Sequence, residues 1–133
     1  MRVLLDTNIL ISAFISHGLC LDVMEYCAVE HQICVSVFIL DEFKEKLHQK
    51  FGFSNQDIQM AVNFLKKISL IADYNENTVL AICKDKDDNH ILAAAVSLKV
   101  DCIVTGDDDL LVLKEYAHIP ILKPRDFWRQ AGK

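Results

Sequence analysis

Six acidic residues crowd into two short stretches, with Asp85, Asp87 and Asp88 in the first and Asp107, Asp108 and Asp109 in the second. Asp6 ends the short apolar run Arg2–Leu5, and Glu42 lies in a stretch with helical periodicity. Carboxylates gathered in one place repel one another, and ionising them together is costly without a cation. Oxygen donors of this type suit Mg²⁺ or Mn²⁺. A divalent ion held by carboxylates, with positions left open, binds a phosphate, acidifies water and stabilises a leaving oxygen. That is the chemistry of phosphodiester hydrolysis. The ion supplies positive charge, so the reacting centre itself needs no Lys-rich groove.

The net charge of -5 argues at first against a nucleic-acid partner. Six of the 19 acids belong to the two stretches, and the remaining 13 face 14 Lys and Arg. The excess negative charge is therefore local, which favours a cation site over a generally acidic surface. With 133 residues, 52% of them hydrophobic, residues 1–133 read as one domain with one core. The five cysteines, Cys20, Cys27, Cys34, Cys83 and Cys102, form no C-x-x-C pair. They read as small buried thiols in a reducing compartment. Asp6 interrupts the opening apolar run before any signal-peptide pattern develops. No apolar stretch reaches the ~18 residues that span a membrane. The expectation is a soluble, cytoplasmic protein with no membrane partner.

The elements that position the acids follow from periodicity. Arg2–Leu5 reads as a strand that stops at Asp6. Ile9–Phe14 and Leu19–Val29 read as helices, broken at Ser16-His17-Gly18. Ile33–Val35 is a second strand, and Ser36 caps a helix striped by Leu40, Phe43 and Leu47. Ser54 opens another helix with Asp57 three residues on. Ser69–Ala72 is a third strand, and Thr78–Cys83 is a brief element. Lys84–Asn89 reads as a charged loop before an Ala-rich helix over Ile91–Leu98. Asp101–Val104 is a strand, Asp109–Tyr116 a short helix, and Ile119–Leu122 an edge strand because of Pro120. Pro124 suits the first turn of a last helix. Strands alternate with helices, and the strands lack a polar face, so an open, mostly parallel α/β sheet is expected.

In such sheets ligands sit outside the carboxyl ends of the strands. Asp6 and Asp107 fall at those ends. Right-handed crossovers bring helix starts to the same edge, and so bring Asp88 and Glu42 there. Glu42 lies at the margin of its helix's apolar stripe, whereas Asp41 and Glu45 point away. Each acid alone has an ordinary explanation. Asp6 and Asp107 suit turns, Asp88 suits a helix cap, and Glu42 suits a solvated helix face. Their convergence on one edge argues for a shared site. Thr7, Asn8 and Thr105 can orient the carboxylates, although Asn8 also suits a helix cap.

These residues resemble the PIN-domain signature. Asp6-Thr7-Asn8-Ile9-Leu10 is similar to its opening motif, and Glu42-Phe43 to its central acid. Asp88-Asn89-His90-Ile91-Leu92-Ala93-Ala94-Ala95 resembles its D-x-x-[IL] helix, and Thr105-Gly106-Asp107 its late T-x-D element. The set spans nearly the whole chain and lies nearest the VapC-like toxin components of toxin–antitoxin systems. The resemblance implies three layers, with a mostly parallel sheet of about five strands and helices on both faces, as in sheets of ordinary size. It implies Mg²⁺- or Mn²⁺-dependent endoribonuclease activity with Asp6, Glu42, Asp88 and Asp107 as catalytic and metal-holding acids. It also implies an RNA substrate, an antitoxin partner and a homodimer or higher oligomer. The spacing to Thr105 also fits Asn89, and Asp87 is adjacent; Asp88 is preferred because an amide is a poorer ligand. Asp109 stands as the alternative to Asp107.

Four rival readings fit less well. A receiver module needs an acidic pair after the first strand and would have to use Asp73 as its phosphate acceptor. A nucleophilic-aspartate phosphatase needs an acid where Asn8 stands. A calcium loop starting at Asp85 meets His90 where glycine is required and Val96 where the bidentate acid belongs. A PIN fold that binds RNA or a partner without cutting has no need of all four acids, which this sequence keeps. An RNA-processing nuclease outside any toxin–antitoxin pair is the alternative to the toxin role.

Overall fold

The computed structural model describes residues 1–72 and 86–132. Thr78–Cys83, Asp73 and Asp85 lie outside them. The chain opens with β1 (Arg2–Leu5), α1 (Thr7–Ser16), α2 (Leu19–Glu30) and β2 (Gln32–Ser36). Next come α3 (Val37–Gln49), α4 (Asn55–Ile68), β3 (Ser69–Ala72) and α5 (Lys86–Ser97). The chain ends with β4 (Cys102–Val104), α6 (Asp108–Leu111), β5 (Glu115–Tyr116), β6 (Ile119–Leu122) and α7 (Pro124–Gln130).

The strands form one six-stranded sheet in the order β3-β2-β1-β4-β6-β5. All neighbours are parallel except β5 with β6. Val3, Leu4 and Leu5 are all fully buried, and so are Ile33, Cys34 and Val35. Successive strand residues point to opposite faces, so unbroken burial means that both faces are covered. The sheet is thus the middle of three layers, as expected. The sixth strand is the two-residue β5, too short for its periodicity to register.

The strand order explains where a ligand belongs. From β1 the chain moves outward through β2 to β3, then returns to place β4 on the other side of β1. The crevice at the carboxyl ends of β1 and β4 is therefore the switch point of the sheet. Backbone bonds tie its floor together, from Asp6 N–H to the Val104 carbonyl (3.0 Å) and from Thr105 N–H to the Leu122 carbonyl (3.0 Å).

The helices form where capping and stripe agree. Ser36 Oγ accepts from Ile39 N–H at 3.1 Å at the start of α3, and Ser54 Oγ accepts from Asp57 N–H at 3.1 Å at the start of α4. Each such cap contributes ~1 kcal/mol. α1 stops where His17 turns left-handed (φ 51). Leu40, Phe43 and Leu47 are buried, as the α3 stripe requires. Burying Phe43 fully stabilises the fold by ~1.5–3 kcal/mol.

Three expectations need correction. The charged loop before Ile91 is helical from Lys86, so Asp87 and Asp88 occupy the first turn of α5. Acidic side chains there interact favourably with the helix dipole, which apolar periodicity does not register. The Asp109–Tyr116 helix is one turn, α6, followed by β5. Lys114, Ala117 and His118 take left-handed backbone conformations (φ 63, 50 and 65) that no helix continues through. Finally, β6 is not the edge, because β5 pairs along its outer side. Pro120 is tolerated because pairing with β4 begins only at Ile121.

Candidate metal centre

Asp6 caps α1, and both of its carboxylate oxygens are held. Oδ1 accepts from Thr7 N–H at 2.7 Å, and Oδ2 accepts from the Thr105 hydroxyl at 2.7 Å. Thr105 is fully buried, and its Oγ1 also accepts from Asp107 N–H at 3.0 Å. One hydroxyl thus links the carboxyl ends of β1 and β4 and sets the spacing of Asp6 and Asp107. Thr7 orients Asp6 through its backbone N–H, while its hydroxyl is buried without a hydrogen-bond partner among the described residues.

Two aromatic contacts bring the helical acids to the same place. Phe14 of α1 meets Phe43 of α3 edge to face at 5.4 Å. Such pairs add ~0.5–1.5 kcal/mol beyond burial. This contact fixes the rotation of α3 and with it Glu42, which is half-buried while Asp41 and Glu45 are exposed. Phe38, one turn before Glu42, stacks on His90 at 4.3 Å with an 8° interplanar angle. His90 lies two residues after Asp88, so this stack ties the start of α3 to the start of α5.

The result is a pocket of about 190 Å³ lined by Asp6, Glu42, Asp88 and Asp107, together with Asp87, Asn8, Lys46 and Ile91. Asp6 and Asp88 are buried, at 5% and 4% exposure. Asn89 is buried but does not line the pocket, which separates it from Asp88. One carboxylate oxygen each from Asp88, Asp107 and Asp109 lie within 4.8 Å of one another. Asp6 and Glu42 stand in the same pocket outside that group. Asp107 also caps α6, its Oδ1 accepting from Asp109 N–H at 2.9 Å. Asp107 and Asp109 thus share one turn and both face Asp88, so proximity does not choose between them.

Burial pushes the Asp6 carboxyl above its ordinary range, and the nearby Glu42 and Asp107 charges add to this. The bonds from Thr105 and Thr7 act in the opposite direction and favour the ionised form. Asp6 is held in shape as an acceptor yet penalised as an anion, a combination that a cation would relieve. The donors are all oxygens, and three of them already lie close together, so the residues present fit a small hard divalent ion.

Sequence reasoning missed Lys46. It follows Glu42 by one helical turn, lines the acidic pocket and donates from Nζ to Asn8 Oδ1 at 3.2 Å. The i, i+4 spacing on α3 was the available signal. Asn8 is not a helix cap, since Asp6 fills that role. Among the described residues no cysteine lines the pocket. Cys27, Cys34 and Cys102 are buried and free, and Cys20 is half-buried and free.

The fold and the pocket together define an α/β domain with a carboxylate cluster at its switch point. The PIN domain model matches residues 2–109, and the chain belongs to the PIN-domain family. No curated protein matches the sequence. Among solved structures, VapBC2 from Rickettsia felis, bound to a DNA fragment from their promoter, is 18% identical. That match covers 92% of this chain and 98% of the other, with a TM-score of 0.66. VapBC-1 from nontypeable Haemophilus influenzae is 18% identical over 94% of this chain and 99% of the other, with a TM-score of 0.63. FitAcB from Neisseria gonorrhoeae is 15% identical over 92% and 98%, with a TM-score of 0.62. At these identities the likeness is one of fold. Among the described residues no single helix is long and apolar enough to cross a membrane.

Proposed function

We propose that this PIN domain is a divalent-metal-dependent endoribonuclease and the toxin half of a toxin–antitoxin pair. The observation that carries the reading is the convergence of Asp6, Glu42, Asp88 and Asp107 on one pocket at the sheet's switch point. These four acids would hold Mg²⁺ or Mn²⁺, with Asp109 as the alternative to Asp107. A bound divalent ion supplies positive charge for the phosphate and acidifies water for attack on it. Thr105 and the Thr7 N–H fix the Asp6 carboxylate at the pocket wall, where it would face a bound ion, and Asn8 and Lys46 line the same pocket. Lys46 places one positive charge among the carboxylates, where it meets a substrate phosphate.

The toxin reading is supported by the motif order around Asp6, Glu42, Asp88 and Asp107 and by a fold shared with VapBC proteins. It brings with it an antitoxin partner, an RNA substrate, a homodimer or higher oligomer and a cytoplasmic setting. Residues 1–133 act in it as one nuclease domain.

The test is cleavage of single-stranded RNA by the purified protein with Mn²⁺, beside Asp6→Asn. Wild-type protein is expected to cut, to stop in EDTA and to resume when Mn²⁺ is restored. Asp6→Asn is expected to lose at least a hundredfold in rate. Undiminished cleavage by Asp6→Asn, or cleavage that persists in EDTA, contradicts the proposal.

A further inference from the structure

A second and larger depression lies on the other side of the β4–α6 loop. It has a volume of about 640 Å³ and is lined by Gly106 and Asp108, the two residues that bracket Asp107. Its far wall carries Lys123, Arg125 and Arg129 from the start and body of α7, together with Asp126. The two depressions therefore share the loop that presents Asp107.

The charge of this groove stands out against the rest of the molecule. The chain carries a net charge of -5, yet three cations gather here within seven residues. All three are exposed, and none forms an ion pair among the described residues. Asp108 and Asp126 line the same space, form no ion pair with the three cations among the described residues, and leave the groove with one net positive charge. Guanidinium groups on a concave surface match phosphate oxygens in charge and in hydrogen-bonding geometry. The floor at Gly106 is open, since a side chain there would meet nothing within 4 Å.

An RNA chain entering the acidic pocket brings phosphates on both sides of the bond to be cut. The carboxylates repel those flanking phosphates. Binding energy for the strand must come from cations close by, because phosphate contacts dominate the affinity of nucleic-acid complexes. We propose that the groove over Lys123, Arg125 and Arg129 is a phosphate track that holds single-stranded RNA on one side of the scissile bond. The track runs from the acidic pocket across the β4–α6 loop to α7. It rests on the nuclease reading for its substrate and adds a binding subsite that the acids do not provide.

The experiment is fluorescence anisotropy of a labelled twelve-nucleotide RNA at several salt concentrations in EDTA, where turnover is stopped. The triple variant Lys123→Ala, Arg125→Ala, Arg129→Ala is expected to bind at least tenfold more weakly at low salt. Its log–log salt slope should fall by about 2, or ~0.7 for each phosphate that is no longer neutralised. The milder pair Arg125→Lys, Arg129→Lys should keep the slope, and it guards against a folding artefact in the triple variant. Lys66→Ala with Lys67→Ala, on α4, should bind within twofold of wild type.

Wild-type affinity and slope in the triple variant overturn the track. So does loss of binding to a polyglutamate peptide with RNA binding intact, which would assign the groove to an acidic protein segment. Cleavage of a dinucleotide with Mn²⁺ reads the catalytic proposal separately, since its single phosphate is the one to be cut and none is left for the groove. If no divalent ion supports dinucleotide cleavage, the nuclease reading fails, while the salt slope still decides the track.

Discussion

Removing the Thr105 hydroxyl should uncouple the two strands that carry the site. Thr105→Val keeps the shape of the side chain and deletes the oxygen that donates to Asp6 Oδ2 at 2.7 Å and accepts from Asp107 N–H at 3.0 Å. Thr105 is fully buried, so water does not replace either bond. A hydrogen bond to a charged group contributes ~1.5–3 kcal/mol and a neutral one ~0.5–1.5 kcal/mol. The expected loss is therefore about 2–4 kcal/mol, a large part of the stability of a small domain. Thr105→Ser keeps the hydroxyl and loses one methyl group, at ~1 kcal/mol.

The pH dependence of this loss has a definite sign. The Thr105 bond lowers the Asp6 pKa, which burial has raised. Without the bond the folded pKa rises further. An acid whose pKa is raised on folding weakens the fold as pH climbs from its unfolded value through its folded one. The deficit of Thr105→Val should thus be larger at neutral pH than at pH 4, and the acid limb of its cleavage profile should move to higher pH. Urea unfolding in EDTA at both pH values measures the first effect, and a pH–rate series with Mn²⁺ measures the second. If Thr105→Val matches Thr105→Ser in stability and in acid limb, the hydroxyl does not organise the site.

Three further outcomes follow from the same geometry. Glu42→Gln should lower RNA cleavage at least a hundredfold, while Asp41→Asn and Glu45→Gln stay within about threefold; equal losses would place α3 in the wrong rotation. Lys46→Met should tighten Mn²⁺ binding by about threefold, since a cation leaves the pocket wall, and should slow RNA cleavage; calorimetry and kinetics read the two separately. Burial pushes the Cys27 and Cys102 thiols up to about 12 and raises Cys34, so peptide-mapped iodoacetamide labelling at pH 8 should modify Cys20 well ahead of these three.

Much of this site is legible in the sequence because each acid is tied to a local pattern. Asp6 ends an apolar strand, and Glu42 sits at the margin of a helical stripe that Phe43 anchors. Asp88 precedes an Ala-rich helix, and Thr105-Gly106-Asp107 closes a strand. What reads poorly depends on distant contacts or on the backbone. The Phe38–His90 stack joins residues 52 positions apart and has no periodic trace. The early start of α5 reflects charge at a helix end rather than apolar spacing. The left-handed turns at Lys114, Ala117 and His118 use residues that usually avoid that conformation, so nothing in their types announces β5. The basic groove joins α7 to a loop near Gly106, which only the folded chain brings together.

Anomalous diffraction from crystals soaked in Mn²⁺ is the most direct check on the acidic pocket. The expected result is a peak inside the space bounded by Asp6, Glu42, Asp88 and Asp107, with the turn at Asp107 and Asp109 showing which acid it uses. No peak there at millimolar Mn²⁺, or one confined to another part of the surface, would contradict the assignment of this pocket as the ion's seat.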